Sequence, residues 1–187
     1  MPEGGEPTSN TPGRDSTHRA DSRFGMFGFY VMNNVGIGFR SFAGGIFFGV
    51  GSALILAVNG LIIGATAGHL TRLGFGSTFW PFVVGHGALE LTAIAICGAA
   101  GLLLGQALLA PGRQTRLAAL RTRARSAIVL VLGAMAMLVL AAVIEAFWSP
   151  LPMVPTAVKV AFGTLWWILV ALYFTKAGRG QAAADGP

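Results

Sequence analysis

Glu90 and Glu145 are the side chains in this sequence best placed to do chemistry. Glu90 lies within residues 83–110, a stretch otherwise almost free of charge, and Glu145 lies near the end of a second apolar run, 126–148. An ionisable group inside a membrane helix is costly to bury and marks an ion, proton or substrate site more often than chance. His86 stands four residues before Glu90, on the same helical face. Asn59 adds an amide late in another apolar run. Imidazole, two carboxylates and an amide suit a divalent metal ion such as zinc. The same groups could relay protons or hydrogen-bond across helices to lock them together. With a metal, His86, Glu90 and Glu145 would serve as ligands or general base of an intramembrane hydrolase. Residue types alone leave these alternatives open.

The elements that carry these groups follow from composition. The chain has 187 residues, 54% of them hydrophobic and 11% charged, with a mean hydropathy of +0.68. Soluble domains average about 25% charged residues. The apolar residues gather in long segments that need lipid as solvent. Much of the glycine, 27 residues in all, lies inside those segments, as is common where membrane helices pack closely. The only cysteine, Cys97, excludes an internal disulfide and reads as a small packing residue.

The sequence predicts an all-α membrane protein: four transmembrane helices over 42–68, 83–110, 126–148 and 154–174, plus a short N-terminal interfacial or re-entrant helix over 24–39. The last stretch has about 16 residues, below the roughly 20 needed to span, and Asn33 and Asn34 interrupt it. A short tilted fifth span is the alternative. Residues 1–23 and 176–187 read as disordered cytoplasmic tails flanking a membrane domain, 24–175. The first tail has no apolar core of a secretory signal. Gly45 and Gly49, then Gly60, Gly64 and Gly68, form ridges that suggest close packing and a homodimer.

Thirteen basic residues against seven acidic give a net charge of +6. The arginines flank apolar segments, so topology and anionic headgroups explain them better than nucleic acid does. Arg113, Arg116, Arg121, Arg123 and Arg125 crowd one loop without an acidic residue, which places that loop in the cytoplasm. Four spans then put both termini inside. In that topology Asn59 lies roughly 13 Å below the outer surface, Glu90 roughly 10 Å, and His86 and Glu145 roughly 5 Å. Three helices thus bring polar groups to one outer layer. No phosphate-cradling Gly-Lys-Ser/Thr loop, nucleophile elbow or Cys-x-x-Cys pair is present.

An ordered series of short motifs resembles the stage II sporulation protein M family. It comprises Met32-Asn33-Asn34 after aromatics; Asn59-Gly60; Gly85-His86-Gly87 with Glu90; Pro111-Gly112 followed by arginines; and Ile144-Glu145-Ala146-Phe147 with Ser149-Pro150. The resemblance covers residues 24–174. The family usually has Pro where this chain has Gly85, and many members carry a longer N-terminal region. The resemblance implies a multi-pass bacterial inner-membrane protein. The family's namesake works with peptidoglycan-degrading partners during engulfment in spore formers, whereas most members belong to organisms that never sporulate. Carried over by position, the family's polar set is Asn34, Asn59, His86, Glu90 and Glu145. The functional expectation is a scaffold or transport component of envelope remodelling whose site binds a metal ion, proton or small polar ligand. The alternatives are the metal-dependent hydrolase and a purely structural partner of peptidoglycan-remodelling proteins.

Overall fold

A computed structural model describes residues 14–177, with side chains from residue 21. The expected tails at 1–13 and beyond 177 lie outside the described residues. The elements are α1 (Arg14–Ala43), a 3₁₀ turn (Gly44–Ile46), α2 (Val50–Arg72), α3 (Gly76–Leu109), α4 (Arg116–Val143), a π turn (Ile144–Trp148) and α5 (Thr156–Lys176). The architecture is all-α, and α2, α3, α4 with its π turn, and α5 are long and apolar enough to cross a membrane.

α3 is the centre of the bundle, with α1, α2, α4 and α5 all packed against it. Its apolar window is 61% buried, against 6% for α2 and 11% for α5. Those two helices therefore turn most of their apolar surface outward, where lipid is the natural solvent. The core forms where Ala93, Ile94 and Cys97 of α3 meet Ala134 and Leu138 of α4.

Small residues let α3 take a close neighbour. The first predicted span begins later than expected, because the chain turns at 44–49 before α2 starts. Gly49 adopts φ 83°, a left-handed conformation that glycine reaches without penalty. A Cβ on Gly45 would strike the Gly101 backbone, and one on Gly105 would strike Gly49. Ser52 Oγ donates to Ser41 O at 2.5 Å beside that contact. The rest of the expected glycine ridge does not pack: Gly60, Gly64 and Gly68 have nothing within 4 Å of a Cβ position.

The N-terminal helix is longer than the 24–39 expected for it and is placed differently. It begins at Arg14, so residues 14–23, assigned by composition to the tail, are helical; no Gly or Pro interrupts the chain from 14 to 24. It runs beside α3 and α4 instead of along one end of the bundle. Phe24 meets Phe147 edge-on and Phe27 lies tilted against it, Gly38 packs on Cys97 and Leu138, and the turn after the helix reaches Gly101. The hydropathy dips at Asn34 and Ser41 have a tertiary explanation. These residues are 2% and 0% exposed, so their polar atoms face the bundle and not lipid.

These contacts order the ends. The start of α1 shares a cleft with Phe82, Glu145 and Pro150, whereas Phe174, near the end of α5, lies beside Ala99. α1 and α5 run the same way along α3, so the start of the first and the end of the second lie at opposite ends of the bundle. The four helices long and apolar enough to cross a membrane are those the hydropathy predicts, and α1 packs along them as an additional helix. The arginine-rich stretch is also more ordered than a loop: Thr115 caps α4 through Ala118 N, and Arg116 to Arg125 form its first turns.

Candidate functional site

His86 and Glu90 point from α3 toward α4 and meet Glu145 there. His86 Nε2 lies 3.7 Å from Glu90 Oε2 and 3.8 Å from Glu145 Oε1. One ligand atom from each of the three lies within 4.8 Å of the others. Glu145 reaches this position because α4 ends in a π turn, closed by Ser149 N donating to Ile144 O at 2.8 Å. A π turn adds a residue to the helical repeat, re-aims the side chains it carries and is frequent at functional sites.

Other side chains fix the imidazole. Its Nδ1 faces Ser149 Oγ at 3.4 Å, and Phe82 meets the ring edge-on at 5.6 Å. Ser149 is itself held, its carbonyl accepting from Lys159 Nζ of α5 at 2.7 Å. Lys159 is 9% exposed and Ser149 1%. This chain of contacts turns Nε2 toward the two carboxylates. Gly85 leaves room not for a ligand but for the Trp148 ring, whose Cζ3 would lie 2.7 Å from a Cβ there. Trp148 and Phe147 pack on α5 and α1 respectively.

The amides take separate places. Asn34 sits beside Glu145. Its Oδ1 accepts from Asn33 Nδ2 at 3.0 Å, which leaves Nδ2 for the Glu145 carboxylate; the two side chains interact, yet neither Nδ2 nor Glu145 Oε2 reaches ordinary hydrogen-bond geometry. Asn59 does not join the three-residue cluster. It lines a cleft between α1 and α2 that Glu90 also borders. Glu145 borders a second cleft of about 260 Å³ with Arg23, Tyr30 and Phe82. The cluster is thus reached from two sides, one through each carboxylate.

Sequence reasoning missed Ser149 and Lys159 as parts of this site. Lys159 carried a usable signal, since it is a charge inside an apolar segment, as Glu90 is. Ser149 stands in the Ser149-Pro150 pair that carries the family resemblance, but a serine next to a proline also reads as an ordinary helix end, so its contact with His86 was not anticipated.

The stage II sporulation protein M family model matches residues 4–150, which include every member of the cluster. The chain belongs to this family. No curated protein and no solved structure matches it. For this stage II sporulation protein M family member the match secures the family and a multi-pass membrane protein carrying a His/Glu/Glu cluster. α5, which supplies Lys159, lies beyond the matched residues.

Proposed function

We propose that this protein is a scaffold or transport component of envelope remodelling in the bacterial inner membrane, and that its His86–Glu90–Glu145 cluster binds a divalent cation of the zinc class. The observation that carries the reading is a buried donor set that does not satisfy itself. The His86–carboxylate distances of 3.7 and 3.8 Å are too long for hydrogen bonds, and Glu145 Oε2 and Asn34 Nδ2, although their side chains interact, close no hydrogen bond of ordinary geometry. A group that only glued helices together would close those bonds, because buried unpaired polar atoms cost roughly 1–3 kcal/mol each. Ligands on a tetrahedral zinc stand about 3.4 Å apart, from bond lengths near 2.1 Å; the His86–carboxylate distances are close to this, and all three ligand atoms lie within 4.8 Å of one another, so the cluster would contract around the ion.

Orientation supports an outward-opening site. The basic residues from Arg113 to Arg125 lie at the end opposite the cluster, and such residues favour the cytoplasm. The N-terminal segment would then emerge on the outer side. Peptidoglycan-remodelling proteins fit as partners from the family's namesake, and the unpacked Gly60–Gly64–Gly68 ridge fits a second copy. A hydrolase is the second reading, favoured by three protein ligands with a cleft at each carboxylate. Catalytic zinc sites keep three protein ligands and one open position.

Elemental analysis of purified protein tests the reading. Wild type is expected to hold about one divalent ion per chain, and Glu145→Gln to lose it while remaining folded by circular dichroism. Wild type free of metal after growth and purification in zinc, with no thermal shift on adding it, would sink the proposal.

A further inference from the structure

The cleft between α1 and α2 has a volume of about 520 Å³ and an uneven lining. Arg40, Asn33, Asn59 and Glu90 supply polar groups, and residues such as Leu54 and Ile62 form an apolar wall. Leu54 and Ile62 are each 61% exposed, so the wall faces outward, into the hydrocarbon that surrounds the bundle. Arg40 makes no ion pair or hydrogen bond among the described residues. It stands in the last turn of α1, yet its guanidinium folds back along the helix, with Nη2 4.0 Å from a Cβ position on Gly36. Glu90 borders the same cleft but makes no ion pair with Arg40, and an unpaired guanidinium is costly next to hydrocarbon.

We propose that this cleft holds one membrane lipid with a phosphate headgroup, the phosphate on Arg40 with the Asn33 and Asn59 amides near it, and an acyl chain along Leu54 and Ile62. Arg40 and Glu90 are the charged groups lining the cleft and form no ion pair with each other, so the guanidinium is left to pair with a phosphate, which it binds well. The outward-facing wall selects a lipid over a free anion. The volume falls in the range of about 300–1,000 Å³ typical of small-molecule sites, enough for a headgroup and the first part of a chain. Glu90 lines the same cleft, and a phosphate beside a free carboxylate is repelled. A cation on Glu90 would relieve that repulsion, so lipid should bind more tightly to metal-loaded protein. This coupling, unlike the lipid site itself, rests on the metal reading above.

The test uses the full chain in neutral detergent, titrated with dioleoyl phosphatidic acid and followed by native mass spectrometry. Dioleoylglycerol and inorganic phosphate are the two controls. Phosphatidic acid should be retained, neither control should replace it, and Arg40→Gln should weaken it by about tenfold with unchanged metal content. Ile62→Trp, which fills the cleft without touching a charge, should weaken it as well, and Arg40→Lys should restore part of the binding. Equal binding by wild type and Arg40→Gln, retention of dioleoylglycerol, or displacement by inorganic phosphate would each overturn the lipid site. Arg40-dependent binding that does not change on metal removal would leave the lipid site standing and overturn only its coupling to the cluster.

Discussion

Ser149 is the residue that orients His86, and in the proposed metal site it would hold the imidazole ready as a ligand. Its hydroxyl lies 3.4 Å from His86 Nδ1, so the other ring nitrogen faces the carboxylates. Partners of this kind fix tautomer and ring orientation, and their loss costs about 10–100-fold in metal affinity. Ser149→Ala should therefore weaken zinc binding by about that factor in a competition titration, and Ser149→Thr should keep most of it. A purely structural serine would instead change the unfolding midpoint and leave the affinity of the folded protein alone. Proton linkage gives a second expectation with a defined sign. Zinc binds neutral imidazole and ionised carboxylates, so binding releases protons. Affinity should rise as pH is raised from 6 to 8, measured by isothermal titration in two buffers of different ionisation enthalpy. An affinity that falls over that interval would argue against the cluster as the ligand set.

The packing of α3 depends on which glycines have neighbours. Gly101 lies against Ser41 O at 2.7 Å and Phe42 O at 2.8 Å from a Cβ position, and backbone atoms cannot step aside as a flexible side chain can. Gly101→Leu should destabilise the bundle by at least about 2 kcal/mol. Gly64→Ala on α2 should be neutral or stabilising by up to about 1 kcal/mol, since the position is open and alanine favours helix. Chemical unfolding of both variants in detergent checks the pair. Equal losses would mean that the α2 ridge is packed in the assembled protein, as a second copy would require.

At the scale of the whole molecule, the path of α1 decides the topology. From Phe24 to Ala43 the helix is about 30 Å long, which matches the hydrocarbon core of a bilayer. Single cysteines placed at Phe24 and Leu151 are expected to react with an impermeant maleimide from one side of the membrane, and cysteines at Arg113 and Ala177 from the other. Cys97 is fully buried and gives no background. Labelling of positions 24 and 113 from the same side would return α1 to an interfacial role.

Four apolar helices, the membrane class and the residues of the cluster were all legible in the sequence, because each rests on local properties: segment hydropathy, loop charge, and the rarity of a carboxylate in an apolar run. The family resemblance rested on the same ordered motifs and is matched over residues 4–150. The sequence could not reveal that α1 packs through the bundle, because burying Asn34 and Ser41 depends on neighbours far along the chain. Nor could it separate Asn59 from the cluster or bring Ser149 and Lys159 to it. A π turn shifts the helical register by one residue, and a period of 3.6 carried through Glu145 cannot anticipate that. Tertiary structure decided those points because a polar side chain's energy in a membrane depends on what faces it, and only packing determines which groups face one another.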